Sequence, residues 1–340
     1  MKALVPRALV VLGALILLMQ FIWWLPKRAA LPEQTDAEIY YRAAVRFIAG
    51  QPVYQHRPRL GLYQPPTEFF YPPTALAFIA PFGRSTCHAF LLGWFFLMIV
   101  ALWALAAALA KIVLGRLTVP IALAAGALVS IYPPTSYVLG IGNADLLVLA
   151  LVAWAFAAPS AAGPLLVAGA AIKLYPAFIL IAWWPRISNE GRARTAMAAG
   201  ALAAWTVLAL GPGGLAVQLN DWAHTGWLAM TEAILWWGNF SLSTLVLRPF
   251  LDSTARETPG WARSVLTVMP WIFVGGVIGL LRKWPTLSYG AVVLVAAIVC
   301  SPICWWWRMA LAALVPVALW LKNASEGTGA GFAWRAFKGA

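Results

Sequence analysis

Residues 8–25 read ALVVLGALILLMQFIWWL, an unbroken apolar run of the length that crosses a lipid bilayer as one helix. Similar blocks recur along the 340 residues, of which 62% are hydrophobic and only 10% charged, and the mean hydropathy is +0.80. The blocks are continuous and rich in Leu and Ala, which favours helices over alternating membrane strands. The sequence therefore predicts an all-α, polytopic integral membrane protein.

Basic residues flank the first apolar run on both sides. Lys2 and Arg7 precede it, and Lys27 and Arg28 follow it. The run is longer than the apolar core of a secretory signal peptide, and a basic pair directly after it disfavours cleavage. We therefore expect a retained first membrane span.

The distribution of Lys and Arg predicts about ten transmembrane helices with both chain ends in the cytoplasm, in a multi-pass protein of the cell membrane. The net charge of +13 is then explained by topology and by contacts with anionic membrane lipids, and does not indicate a nucleic-acid partner. One domain is expected over residues 1–322, with external loops at 26–87 and 211–263 and a cytoplasmic tail at 323–340. The predicted helices are Arg7–Leu25, His88–Ile112, Thr118–Tyr132, Ala144–Ala158, Pro164–Ile172, Tyr175–Trp184, Ala196–Leu210, Val265–Leu281, Leu287–Cys300 and Met309–Leu321.

Lys173 separates two of these helices that are too short to span a bilayer. Reading them as one span would place Arg186, Arg192 and Arg194 outside, against the positive-inside rule, so a hairpin near Lys173 is predicted. Pro176 also interrupts a continuous helix. A cation at this depth indicates a phosphate partner or the counter-ion of an acid. Snorkelling to the membrane surface is the open alternative.

The first external loop holds an acidic pair, Asp36 and Glu38, in a chain with only 11 acidic residues. The pattern predicts an amphipathic helix from Asp36 to Gly50 with Thr35 or Asp36 as its N-cap. Tyr40 is one turn from Asp36 and shares its face. A capping role for Asp36 is one interpretation. The other is a general base that takes a proton from an attacking hydroxyl group.

Further polar groups lie at the outer ends of later helices, and each has a structural alternative. Asp145 is either a helix cap or a site residue. Arg308, beside Trp305, Trp306 and Trp307, is either a phosphate clamp or a snorkelling residue in an aromatic belt. The candidate substrate-binding residues are Tyr40, Tyr71, Asn143, Asp145, Lys173, Asn239, Arg248, Ser301, Trp305 and Arg308.

Known cofactor motifs are missing from the sequence. It has no Walker loop and no Gly-x-Gly-x-x-Gly motif after a strand, so a cytosolic nucleotide site is not supported. His56, His88 and His224 lack metal-ligand spacing. We expect neither a cofactor nor a metal.

Six short motifs, taken in order over residues 36–318, resemble glycosyltransferase family 87. These are the polyprenyl-phosphate-mannose-dependent α-mannosyltransferases of the GT-C class. The motifs are Asp36 with Tyr40 and the following Gly50-Gln51-Pro52-Val53-Tyr54, Tyr71-Pro72-Pro73-Thr74-Ala75-Leu76 running into Pro81, Gly142-Asn143-Ala144-Asp145, Ala171-Ile172-Lys173-Leu174-Tyr175-Pro176, Gly238-Asn239-Phe240-Ser241 and Ser301-Pro302-Ile303.

The resemblance implies a GT-C helical bundle, an outward-facing site, a polyprenyl-phosphate sugar donor, and Asp36 as the catalytic base. One segment departs from the family pattern. Cys304 stands in place of a serine, and Trp306, Trp307 and Arg308 stand where histidines are expected. We hypothesise that Arg308 replaces them as the phosphate partner.

The leading hypothesis is therefore an inverting membrane hexosyltransferase. Asp36 would deprotonate a hydroxyl of a lipid or glycan acceptor, and Lys173, Arg308 or Arg248 would hold the leaving phosphate. Two alternatives remain. One is a transporter or flippase of lipid-linked or small solutes, with Asp145 and Lys173 on its pathway. The other is a glycan polymerase or ligase that consumes a lipid-linked oligosaccharide.

Overall fold

The computed structural model describes residues 4–31, 35–55, 69–226, 241–250, 259–300 and 306–327. Within these ranges the chain is 86% helical and has no strand, which confirms the predicted all-α class. Numbered in chain order over the described residues, the helices are α1 (Leu4–Met19), α2 (Leu25–Ala30), α3 (Asp36–Ile48), α4 (Pro73–Ile79), α5 (Cys87–Leu114), α6 (Val119–Ser130), α7 (Pro133–Ile141), α8 (Asp145–Ala157), α9 (Ala162–Ile172), α10 (Tyr175–Trp183), α11 (Asn189–Leu210), α12 (Pro212–Asp221), α13 (Leu242–Leu247), α14 (Gly260–Leu280), α15 (Thr286–Cys300), α16 (Trp306–Ala312) and α17 (Leu314–Gly327).

Four helical segments of the described chain are long and apolar enough to cross a membrane. They are Arg7–Ala30, which joins α1 and α2 through a π turn at Gln20–Trp24, and Cys87–Leu114, Asn189–Leu210 and Gly260–Leu280. Apolar side chains such as Ile22, Leu208 and Leu280 remain exposed on them, as expected where the solvent is lipid. Helices α8, α9 and α15 are apolar but shorter, so the predicted number of about ten transmembrane helices is not confirmed.

The helix pair α6 and α7 differs from the sequence prediction. We expected the third helix to end at Pro133 and Pro134, followed by a loop up to Ala144. Instead these prolines begin α7, which bends by 83° from α6. Proline suits the first turn of a helix because the missing N–H has no intrahelical partner there. If each bent pair counts as one span, the described chain has five candidate spans.

Helix α5 forms the centre of the bundle. It packs against α8, α6, α2 and α17, and Phe95, Met98, Leu102 and Leu105 on it are fully buried. The buried positions belong to one large apolar cluster that also takes in α3, α4, α8, α10 and α15. This cluster holds the ends of α3, α7, α8 and α9 together, and the polar residues discussed below lie at those ends.

The predicted hairpin at Lys173 is confirmed. Helix α9 ends at Ile172, Lys173 has extended backbone (φ −141°, ψ 135°), and α10 begins at Tyr175. The two helices pack against each other. An added Cβ at Gly169 would lie 3.2 Å from the Pro176 ring, so the absence of a side chain at Gly169 permits this close packing.

Candidate functional site

The Asp36 carboxylate lies at the N-terminus of α3 but does not cap this helix. Thr35, not Asp36, caps this helix, because the Thr35 hydroxyl accepts a hydrogen bond of 3.2 Å from the Glu38 amide. The Asp36 carboxylate instead accepts a hydrogen bond from the Asn143 side-chain amide. Glu38 turns away and forms an ion pair of 2.6 Å with Arg42. The capping interpretation of Asp36 is therefore wrong.

Asn143 connects Asp36 to Lys173 and Asp145. Its Nδ2 donates to Asp36, while its Oδ1 accepts from the Lys173 ammonium at 3.1 Å and from the Asp145 backbone amide at 2.8 Å. Asn143 is buried. Because Asn143 is fixed through both its donor and its acceptor atoms, it holds the Asp36 carboxylate and the Lys173 ammonium at a constant distance from each other.

Asp145 lies in a fully buried position between two cations. Its Oδ1 is 2.8 Å from the Lys173 ammonium, and its Oδ2 accepts from Arg308 Nε at 3.0 Å. Lys173 is 7% exposed and Arg308 6% exposed, so neither snorkels. Asp145 is the first residue of α8, whose N-cap is Ala144, and no side-chain hydrogen bond caps this helix. Its capping interpretation is therefore also wrong.

Two tyrosines form the aromatic wall beside Asp36. The hydroxyl groups of Tyr40 and Tyr71 lie 2.7 Å apart, and Tyr40 also accepts from the Ala144 amide at 3.3 Å. The Lys173 ammonium lies 5.1 Å from the centre of the Tyr71 ring, a cation–π distance. Burial raises the pKa of both tyrosines well above the ordinary value, so both hydroxyls stay protonated. Tyr71 is held in turn by Tyr54, whose hydroxyl donates to its carbonyl at 2.8 Å.

Burial also raises the pKa of the Asp36 carboxyl, while the Asn143 hydrogen bond and the Lys173 charge act in the opposite direction. A carboxylate with a raised pKa is a better proton acceptor than an ordinary one. The raised pKa and the hydrogen bond from Asn143 are the features on which a base role for Asp36 is proposed below.

Seven of the predicted site residues thus meet in one place, which we call the polar cluster. It contains two carboxylates and two cations, so its formal charges balance. Its members are Asp36, Tyr40, Tyr71, Asn143, Asp145, Lys173 and Arg308.

Four predicted residues cannot be placed in this cluster. Asn239, Ser301 and Trp305 lie outside the described residues. Arg248 begins a 3₁₀ turn, Arg248–Phe250, after α13, and its side chain is also outside the described part.

Three groups that our sequence reasoning missed support the polar cluster. Trp94 donates from its indole to the Gly142 carbonyl at 2.7 Å. Thr74 donates to the Ala171 carbonyl at 2.6 Å and so fixes the start of α4 against the end of α9. Tyr175 is buried near Asp145 and Arg308. Thr74 and Tyr175 lie inside the short motifs noted in the sequence, whereas Trp94 is one apolar residue among many in α5.

Gly142 sets the direction of Asn143. It ends α7 with a left-handed backbone (φ +68°), and an added Cβ would lie 2.8 Å from the Ala37 Cβ and 3.0 Å from the Phe95 ring. Both the backbone conformation and the space available favour glycine.

We expect Gly142→Ala to destabilise the protein more than Gly115→Ala does. Gly115 also has a left-handed backbone (φ +70°), but an added Cβ there meets nothing within 4 Å. The control loses only the conformational term, about 1–2 kcal/mol, whereas Gly142→Ala adds about 1–3 kcal/mol of overpacking. Apparent Tm values in detergent measure the difference. Equal losses in the two variants would contradict the close approach of α3 and α5 to Gly142.

The fold and the polar cluster together define a class of protein. It is a helical membrane protein with buried, paired charges at one end of its short helices. A sequence profile of glycosyltransferase family 87 matches residues 69–321, well over half of the chain. The protein belongs to glycosyltransferase family 87 and is a membrane glycosyltransferase. No curated protein and no solved structure matches the chain.

The matched range includes Tyr71, Asn143, Asp145, Lys173 and Arg308, but it begins after Asp36 and Tyr40. The hydrogen bonds from Asn143 to Asp36 and between Tyr40 and Tyr71 join the residues before the range to those within it.

Proposed function

We propose that the protein transfers a hexose, for which mannose is our first candidate, from a polyprenyl-phosphate donor to a lipid or glycan acceptor on the extracytoplasmic face of the cell membrane. The observation that carries this proposal is the connection of a base to two cations that lie far from it in the sequence. Asp36 reaches Lys173 through Asn143, and Lys173 and Arg308 share Asp145.

The reaction begins with an acceptor hydroxyl next to Asp36. The carboxylate takes the hydroxyl proton as the acceptor oxygen bonds to the anomeric carbon of the donor. The bond from that carbon to the phosphate oxygen breaks, and its electron pair leaves with the polyprenyl phosphate. Attack from the side opposite the leaving group inverts the anomeric configuration. Asp36 ends the step protonated and returns its proton to solvent.

Lys173 and Arg308 stabilise the phosphate as it leaves. As the carbon–oxygen bond breaks, a further negative charge develops on the phosphate. Cations fixed in a buried environment stabilise such a developing charge more effectively than mobile groups in water. Asp145 holds both cations in place before the donor binds, so no large rearrangement of their side chains is needed during the reaction.

The arrangement of the short helices supports the extracytoplasmic location. Asp145 and Tyr175 begin α8 and α10, and the polar cluster lies at these ends. Beyond the other ends come Arg186, Arg192 and Arg194, and Arg194 donates to the Ser160 carbonyl. The nine residues of α10 separate the two ends by about 14 Å. Because short cytoplasmic loops are enriched in Lys and Arg, this arrangement supports a cluster on the opposite, extracytoplasmic side.

A donor comparison tests the proposal. Purified protein in liposomes would receive labelled polyprenyl-phosphate mannose, GDP-mannose or a polyprenyl-diphosphate oligosaccharide, with a membrane lipid extract as the acceptor pool. We expect label in the extract from polyprenyl-phosphate mannose alone, because the polar cluster offers a base and cations but the sequence has no nucleotide-binding motif. Transfer from GDP-mannose, or of a whole oligosaccharide only, would show that the donor class is wrong.

A further inference from the structure

Two buried oxygen atoms in the polar cluster region have no hydrogen-bond partner in the described structure. They are the Tyr175 hydroxyl and Asp145 Oδ1. Tyr175 is 6% exposed and Asp145 fully buried, so bulk water does not satisfy either atom. Buried polar atoms are almost always paired, and an unpaired one beside a candidate site indicates a position for a ligand atom.

Tyr175 follows Lys173 by two residues at the start of α10, and the Lys173 ammonium lies 2.8 Å from Asp145 Oδ1 and compensates its charge. This carboxylate oxygen has a further lone pair that can accept a hydrogen bond from a ligand. Tyr40 and Tyr71, by contrast, already bond to each other.

The chemistry of this pair selects the kind of ligand group. A carboxylate oxygen only accepts hydrogen bonds, whereas a tyrosine hydroxyl both donates and accepts. A sugar hydroxyl matches the pair, because it donates to the carboxylate and accepts from the tyrosine. A phosphate oxygen has no proton to offer Asp145 and would face its negative charge.

We propose that Tyr175 and Asp145 bind one hydroxyl group of a sugar. This hydroxyl donates a hydrogen bond to Asp145 Oδ1 and accepts one from the Tyr175 hydroxyl. This rests on the proposed glycosyltransferase function. It assigns Asp145 a second role besides holding Lys173 and Arg308. It also separates the parts of the site: the cations take the phosphate, and the Tyr175–Asp145 pair takes the sugar.

Tyr175→Phe tests the assignment, with ligand-induced thermal stabilisation as the measurement. We expect the affinity for polyprenyl-phosphate mannose to fall about 10-fold, the effect of losing one hydrogen bond in a buried site. The affinity for sugar-free polyprenyl phosphate should not change. Without ligand, the apparent Tm should stay the same or rise, because the hydroxyl that is removed has no partner.

Tyr289→Phe is the matched control. Its hydroxyl donates to the Ile278 carbonyl at 3.0 Å, away from the polar cluster. This variant should lose apparent Tm without ligand and keep the wild-type affinity for polyprenyl-phosphate mannose. If Tyr175 contacts a sugar, Tyr175→Phe therefore loses ligand affinity without losing apparent Tm, whereas Tyr289→Phe loses apparent Tm without losing ligand affinity.

The source of the hydroxyl is settled by a third ligand, methyl α-mannoside, added together with polyprenyl phosphate as an acceptor mimic. A loss in Tyr175→Phe for polyprenyl-phosphate mannose assigns the hydroxyl to the donor, and a loss for the glycoside assigns it to the acceptor. A loss for sugar-free polyprenyl phosphate, or no loss for any ligand, overturns the inference. If the wild-type protein itself does not bind polyprenyl-phosphate mannose or polyprenyl phosphate, the proposed donor class fails instead.

Discussion

Replacing Asp36 with asparagine should lower the rate of hexose transfer roughly 100- to 10,000-fold, the usual contribution of a general base. Asparagine has nearly the same shape but takes no proton at neutral pH. Its carbonyl still accepts the hydrogen bond from Asn143 that the carboxylate accepts now. We therefore expect the apparent Tm and the affinity for polyprenyl-phosphate mannose to remain close to wild type while turnover is lost.

Glu38→Gln is the matched control for this experiment. Glu38 lies on the same helix, two residues on, but pairs with Arg42 on the exposed side of α3. Exposed ion pairs of this kind contribute little to stability. The Glu38→Gln variant should transfer hexose at nearly the wild-type rate. An active Asp36→Asn variant, or an inactive Glu38→Gln variant, would contradict the assignment of Asp36 as the general base.

Local features of the polar cluster were predictable because they depend on neighbours in sequence. The spacing of Asp36 and Tyr40 on one helix face, and the break of the chain at Lys173, follow from helix periodicity and from proline. Both are present in the structure. The start of α3 at Asp36 was also predicted, although the choice between Thr35 and Asp36 as its cap was not.

The contacts between distant residues were not predictable from one sequence. Asp145 meets Arg308 across 163 residues, and nothing in either local segment specifies that pairing. The sequence offered the counter-ion of an acid as one role for Lys173, but it did not identify the acid. The pairing depends on how α8, α10 and α16 pack, and therefore on the whole apolar cluster.

Helix count was the weakest part of the sequence prediction because apolar composition does not distinguish lipid contact from protein contact. Helices α8 and α15 are as apolar as a membrane span but have only 13 and 15 residues. Many of their side chains are buried against other helices. Hydropathy reports that water is excluded from these residues, and it does not report whether lipid or protein excludes it.

The largest loss of stability should come from Asp145→Asn. Asparagine keeps the size of the side chain but removes the negative charge with which both Lys173 and Arg308 pair. Breaking a buried ion pair by removing one partner costs about 3–5 kcal/mol, since a buried charge is left uncompensated. Here one carboxylate serves two cations, so we expect the upper end of that range, measured as unfolding in detergent.

Lys173→Met shows whether the loss arises from unpaired charge or from lost packing. In Lys173→Met, Asp145 still accepts from Arg308, so the variant should lose less stability than Asp145→Asn. The double variant should recover part of the Asp145→Asn loss, because one buried cation rather than two has then lost its ion pair with Asp145. Additive losses in the double variant would mean that the charges do not interact as the 2.8 Å separation of Lys173 and Asp145 requires. Glu190→Gln, which removes an exposed partner of Arg194, should leave the apparent Tm unchanged.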